Sequence, residues 1–369
     1  MPFSFRFAVL SDPHIALPQT IWNHPSRFHL VEISIPALEV VLQELEPLDL
    51  DFLLIPGDLT QHGEPENHAW LADRLAQLPY PVCVIPGNHD VIEREATGQS
   101  IGLLDFPQYY QKFGYDDPTR LCYCREILPG VQVIGLNSNA FDSQGKQAYS
   151  GHLDETQLVW LQQTLQQVAG DLVLVMIHHN VIEHLPNQAK SPLGRRYMLD
   201  NSSALLEVLQ EFNAQLLFTG HLHVQDVAQY KDIYEITTGS LVSYPHPYRI
   251  LRFEQDDRGR QIKIESGRVR AVPTEADLQA LSREWMGDRS LPFMLKLLTQ
   301  PPLNLTQAKA EELAPTLRYF WADIADGDTL FHFPDFPPAV GQYFTQFGAV
   351  NSEGKHEPID NDTVLLLKR

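Results

Sequence analysis

Apolar residues gather in short runs along the first two thirds of the chain: FRFAVL at 5–10, DFLLIP at 51–56, VCVIP at 82–86, VQVIGL at 131–136, DLVLVMI at 171–177 and QLLFT at 215–219. Such runs predict strands buried on both faces. Between several of them apolar residues recur at i, i+3 and i+4, as in IPALEVVLQEL, WLADRLAQL, LDETQLVWLQQTLQQV and SSALLEVLQEF, which is the spacing of amphipathic helices. Strand and helix alternate, so the predicted class is α/β. After Gly220 the pattern shifts to closely spaced short strands, roughly 223–230, 232–238, 248–254 and 261–266, with DDRGRQ as a hairpin turn. These predict a second, largely antiparallel sheet.

From about residue 270 the texture changes again. Thr274 and Asp277 form a capping pattern in TEADLQALSREWM, QPPL and FPDFPPAV interrupt further helical pieces, and the chain ends in the apolar TVLLLK. The expected division is one domain over 1–269 and a mainly helical C-terminal appendage over 270–369. The appendage packs on the core, covers the active site, or pairs with another copy in a homo-oligomer.

With 369 residues, 43% of them hydrophobic, the chain can bury a substantial core. No apolar run approaches the ~20 residues of a membrane span. MPFSFRFAVL has no basic segment leading to a small-residue cleavage site, and it reads as the first strand of a cytoplasmic protein. Cys83, Cys122 and Cys124 are odd in number, and the last two are poorly placed to bridge, so reduced thiols packed in strands are expected. A net charge of −20 opposes broad binding to nucleic acid or anionic membranes, but not an anionic substrate at a metal site.

The residues that follow the apolar runs carry the chemistry. FRFAVL leads into Ser11-Asp12-Pro13-His14, DFLLIP into Gly57-Asp58 and VCVIP into Gly87-Asn88-His89-Asp90. DLVLVMI leads into His178-His179, and QLLFT into Gly220-His221-Leu222-His223. In open α/β sheets ligands bind at the carboxyl ends of strands, where loops are free to carry reactive groups. Carboxylate, imidazole and amide oxygen without thiolate suit two borderline ions such as Mn, Fe, Co or Zn. A carboxylate shared by two such ions brings them close enough to clamp a phosphate and lower the pKa of a shared water. One Asp-x-His or Gly-Asp pair is common by chance, whereas all five in order after strands point to a phosphoester-cleaving centre.

In these motifs the chain resembles the calcineurin-like metallophosphoesterases, whose ordered motifs are DxH, GD, GNH[DE], a lone His after a strand, and GHxH. The resemblance spans roughly residues 5–255. It implies a two-sheet sandwich flanked by helices. By motif, Asp12, His14, Asp58 and His223 hold one divalent or trivalent ion, and Asp58, Asn88, His178 and His221 hold the other, with Asp58 as the bridge. His89 is then the acid that stabilises or protonates the leaving oxygen, and Asn88 and His89 contact the substrate. Either histidine of IHHN can ligate, and the family's VxxH spacing favours His178, leaving His179 as a substrate contact or a packed neighbour. Asp90 either orients the His89 imidazole or forms a turn.

GDLTQ lacks the tyrosine of purple acid phosphatases three positions beyond Asp58, and GNHD differs from the GNRD of lipid-A-pathway pyrophosphatases. GHLDETQLVWLQQTL and RRYMLDNSSALLEVLQEF resemble segments of bacterial cyclic-nucleotide phosphodiesterase-like enzymes. Lys190, Arg195 and Arg196 are candidate phosphate contacts or a solvated loop. Trp22, His24 and Arg27 are candidates near the first ion, Trp22 either for stacking a nucleobase or as a buried loop aromatic. The expectation is a two-ion phosphodiesterase acting on a small phosphoester, with cyclic nucleotides first. Phosphomonoesterase, nuclease and non-catalytic metal-binding scaffold are the alternatives.

Overall fold

In the computed structural model, which describes residues 3–23, 27–351 and 355–368, the strands divide between two six-stranded sheets. The first has the order β12-β11-β10-β1-β2-β3, formed by Thr363–Leu367, Gly259–Arg268, Pro247–Asp256, Phe3–Val9, Phe52–Ile55 and Val82–Val84. The second has the order β4-β5-β6-β7-β9-β8, formed by Tyr123–Leu128, Val131–Gly135, Leu172–Met176, Leu216–Thr219, Ile233–Thr237 and Asp226–Tyr230. β1, β2 and β3 are parallel, as are β5, β6, β7 and β9, and the outer strands are antiparallel.

Alternation along the central strands explains the continuous apolar runs. Leu174 and Met176 of β6 and Leu216 and Phe218 of β7 enter the core between the sheets, where they join Phe7, Phe52 and Leu54. Val173, Val175 and Leu217 point the other way. They meet Leu161 and Leu165 of α3 (Glu155–Gln167) and Leu205 and Leu209 of α4 (Ser202–Glu211). The helices α1 (Ser34–Leu45) and α2 (Pro65–Leu75) bury Leu38, Val41 and Leu71 in the cluster that includes β1 to β3. Each central strand is thus apolar on both faces, as period-2 geometry requires.

The expected second sheet after Gly220 is corrected. β8 and β9 extend the sheet of β4 to β7, while β10 crosses to the other sheet and pairs with β1 in the register Phe5↔Phe253. The chain after β11 is mainly helical, with α5 (Leu278–Thr299), α6 (Gln307–Leu313), α7 (Phe320–Asp326) and α8 (Pro338–Thr345). It then returns as β12 on the edge strand β11, burying Leu365 and Leu367. Cys83, Cys122 and Cys124 are free thiols. No helix among the described residues is long and apolar enough to cross a membrane.

Candidate metal centre

Seven side chains from the five strand-end loops meet at one edge of the sandwich. Ligand atoms of Asp12, His14, Asp58 and His223 lie within 4.8 Å of one another, as do those of Asp58, His178 and His221. Asp58 belongs to both groups. Its Oδ2 is 3.7 Å from His14 Nε2 and 3.3 Å from His178 Nε2. Asn88 closes the second group, with its Oδ1 3.2 Å from His178 Nε2. His223 Nε2 is 3.1 Å from Asp12 Oδ1 and 3.5 Å from His14 Nε2.

The backbone is bent to aim these groups. Asp12, His14, Asp58, His221 and His223 all have positive φ, between 41° and 65°. Residues other than glycine adopt this region uncommonly, and such conformations gather at functional sites. Gly57 has φ +100°, and a Cβ there would come within 2.4 Å of His178 Nδ1. At Gly87 a Cβ would come within 2.2 Å of Asp58 Oδ1. The glycines of GD and GNHD therefore leave room for the ligand of a neighbouring motif.

The HxH spacing has a two-sided explanation. His221 and His223 face the cluster, while Leu222 and Val224 join Met294, Leu313 and Phe320 in the apolar core of the C-terminal region. Imidazole tautomers are set from outside the cluster. His178 Nδ1 lies 2.8 Å from the Pro56 carbonyl oxygen, and His221 Nε2 lies 3.2 Å from that of Arg196. A carbonyl only accepts, so each of these nitrogens carries a hydrogen and the other nitrogen is the one left to bind an ion.

The donor set fits metal ions. Asp12 and Asp58 are buried, and among the described residues their ion-pair partners are imidazoles rather than Lys or Arg. Buried carboxylates that meet imidazoles, with no Lys or Arg beside them, form a place for positive charge. Burial, reinforced by His29, holds His14 well below the ordinary histidine value. His221 is lowered in the same way by burial and by His179 and His178. At His178 burial acts downward, but the Asp58 carboxylate outweighs it and raises the group to about 9. Asp58 is held well below the carboxylate range, because His178, His89 and His14 overcome the upward effect of its own burial.

His89 sits beside the cluster, with its ring centroid 4.8 Å from that of His14. Its backbone N–H donates to Asp58 Oδ1 at 2.8 Å, and its Nδ1 donates to the Gln61 carbonyl oxygen, also at 2.8 Å. Gln61 thus orients the imidazole, and a role for Asp90 in doing so is corrected. The Asp90 carboxylate instead accepts from the backbone N–H groups of Leu59, Thr60 and Gly87 and from the Thr60 hydroxyl. It ties the GD loop to the GNHD loop. His179 is buried, with Nδ1 2.8 Å from Ser138 Oγ and its ring 4.4 Å from that of His221.

The basic candidates do not converge. Lys190 and Arg195 are exposed, and among the described residues no hydrogen bond or ion pair ties either side chain to the cluster. The Arg196 guanidinium lies over the Tyr197 ring, and only its carbonyl reaches His221. Arg27 is buried and paired with Glu32. Trp22 is 49% exposed and meets the edge of His62, so it is not a buried loop aromatic. His24 lies outside the described residues. In the C-terminal region Asp323 and Asp326 are engaged by Arg283 and Arg268.

Sequence reasoning missed Ser138 and Asn139, although they follow the strand VQVIGL as the ligands follow theirs. Asn139 donates to the Gly87 carbonyl at 2.8 Å. It also missed His29, whose ring stacks on His14 at 4.3 Å. A second buried group went unread: His184 bridges Asp226 and Glu235, the latter in charge contact at 3.0 Å, and Glu235 accepts from the N–H groups of Val181 and Ile182.

The calcineurin-like phosphoesterase family model matches residues 5–225. The chain belongs to that family. A 3',5'-cyclic-nucleotide phosphodiesterase of Nostoc is 28% identical over 183 residues, 49% of this chain and 59% of that protein. A Haemophilus influenzae 3',5'-cyclic adenosine monophosphate phosphodiesterase is 28% identical over 186 residues, 50% of this chain and 59% of its own. An Arcobacter nitrofigilis protein named for glycerophosphodiester phosphodiesterase is 29% identical over 194 residues, 52% of this chain and 63% of its own. The matched stretch thus spans about three fifths of these relatives. A Danio rerio dimetal phosphatase shares the fold, with TM-score 0.52 and 16% identity over 72% of this chain and 96% of that one.

Proposed function

We propose that this phosphoesterase hydrolyses small phosphodiesters, cyclic nucleotides foremost, at a two-ion centre. The observation that carries this reading is the position of Asp58, whose carboxylate borders both ligand groups. Asp12, His14, Asp58 and His223 would hold one ion, and Asp58, Asn88, His178 and His221 the other. When bound, two divalent or trivalent ions of the Mn, Fe, Zn or Co kind supply the positive charge that clamps a phosphate and lower the pKa of water.

The chain's own residues supply orientation and a proton. Pro56 and Arg196 fix the His178 and His221 rings, so that little reorganisation accompanies the reaction. Gln61 takes the Nδ1 hydrogen of His89, which leaves Nε2 as the nitrogen that delivers a proton to the departing alkoxide. The diester reading draws on the cyclic-nucleotide and glycerophosphodiester relatives. A net charge of −20 weighs against a nuclease, and three free cysteines favour the reducing cytoplasm.

The test is a panel of phosphomonoesters, linear diesters, cyclic nucleotides and single-stranded DNA, assayed with the full chain reconstituted in turn with Mn, Fe, Zn and Co. Preference for the diesters, with cyclic nucleotides among the better substrates, is expected. Turnover confined to monoesters or DNA overturns the diester reading, and no turnover with any metal favours the scaffold.

A further inference from the structure

His29 belongs to none of the strand-end motifs, yet the segment between β1 and α1 carries it into the centre. Its ring lies 4.3 Å from that of His14 and 4.7 Å from that of His223, and 5.7 Å from His89. A His29 nitrogen comes within 4.8 Å of the ligand nitrogens of His14 and His223, but the group that includes Asp12 and Asp58 does not contain it. His29 thus reaches the two imidazoles of the first ligand group without joining the set that holds both carboxylates. It is half-buried, whereas Asp12, His14 and Asp58 are fully buried. Its place is beside His14 and His223, with His89 nearby.

The C-terminal region fixes that place. Trp285 Nε1 donates to the Phe28 carbonyl and Arg289 Nε to the Arg27 carbonyl, both at 3.0 Å. Trp285 and Arg289 are neighbours four residues apart on α5, and the guanidinium lies over the indole ring at 3.2 Å from its centroid. On the other side of His29, the Leu30 N–H donates to the Val242 carbonyl at 2.8 Å. The histidine is thus clamped through the two carbonyls before it and the amide after it. The same region packs Leu222 and Val224 from behind the GHLH loop, so it supports the centre from two directions.

We propose that His29 is a substrate-contacting residue of this centre, held by Trp285 and Arg289 so that its imidazole donates a hydrogen bond to a phosphoryl oxygen on the side of His14 and His223. This rests on the phosphodiesterase reading above. A ring that only filled space between two imidazoles would be served as well by an apolar residue, and it would not need three backbone hydrogen bonds to hold it beside them. On this account the C-terminal helices are part of the working site, with Trp285 and Arg289 as positioning residues.

The experiment compares the full chain, His29→Ala, Trp285→Phe and the double variant, each reconstituted with Mn. Bound Mn is counted, kcat and KM are measured on a chromogenic phosphodiester, and binding of inorganic phosphate is measured by calorimetry. His29→Ala should keep the wild-type Mn content while KM and the phosphate Kd rise about tenfold, the scale of a hydrogen bond to a charged group, with kcat changed much less. Trp285→Phe keeps a ring under Arg289 but loses the Nε1 hydrogen bond, so it should raise KM in the same direction by less and add nothing once His29 is gone. Arg289→Met, which loosens the other carbonyl, is the independent check if Trp285→Phe folds poorly. Unchanged KM and Kd in His29→Ala, or loss of an ion from it, overturns the proposal. A Trp285→Phe effect that adds fully to that of His29→Ala overturns the positioning role. Wild-type protein that holds no Mn and turns over nothing sinks the phosphodiesterase reading itself, whereas an active wild type beside an indifferent His29→Ala sinks His29 alone.

Discussion

His89 Nδ1 lies 2.8 Å from the main-chain oxygen of Gln61, so a carbonyl rather than a carboxylate sets the orientation of this imidazole. On the proposed function His89 is a proton source that holds no metal. His89→Ala is expected to bind Mn as the wild type does and to lose about 10²- to 10⁴-fold in turnover on a chromogenic diester, the range of a general acid. Bound metal and kcat, measured on the same preparation, check this. Unchanged turnover would remove His89 from the chemistry.

Asp90 serves the same loop as a structural tie. Replacing it by Ala leaves the buried N–H groups of Leu59, Thr60 and Gly87 without their acceptor, at a cost of about 1–3 kcal/mol each. Asp90→Ala should therefore melt well below the wild type and retain less Mn, because Asp58 and Asn88 lie on the two loops it joins. Asp90→Asn, which keeps one acceptor oxygen, should fall between the two. Thermal unfolding with a metal count decides, and a melting temperature equal to that of the wild type would refute the tie.

His184 gives the fold a pH dependence. Burial acts to lower it, but Glu235 and Asp226 prevail and raise it to about 10, against about 6.5 in the unfolded chain. The folded protein then holds a proton that the unfolded chain lacks between these values. The stabilisation is fully present below about pH 6.5 and is lost as the pH rises through about 10. Urea unfolding at pH 7 and pH 9.5 should show stability declining with pH, by at most about 1.4 kcal/mol per unit from this group. In His184→Gln that contribution should be missing. Equal pH slopes in the two proteins would show that His184 is not charged in the fold.

The strands that carry the ligands were legible because β6 and β7 are buried on both faces, which writes an unbroken apolar run into the chain. Ligand types at their carboxyl ends then stood out, and Asp12, His14, Asp58, Asn88, His178, His221 and His223 do converge. Partition of the strands between sheets was not legible. β10 follows β9 closely in sequence, yet it pairs with β1 across Phe5↔Phe253, a contact with no local signature. The return of Thr363–Leu367 to β11 was hidden for the same reason. His29 escaped notice because it sits in an irregular segment, where position is set by distant donors such as Trp285 rather than by periodicity.

The most direct test of the central claim is a count of bound Mn and of turnover in wild type and Asp58→Ala, reconstituted side by side. If one carboxylate serves both ligand groups, the wild type should hold two ions per chain and cleave the diester, and Asp58→Ala should lose ions and activity together. An Asp58→Ala protein that still holds two ions, or that keeps its turnover, would contradict the account.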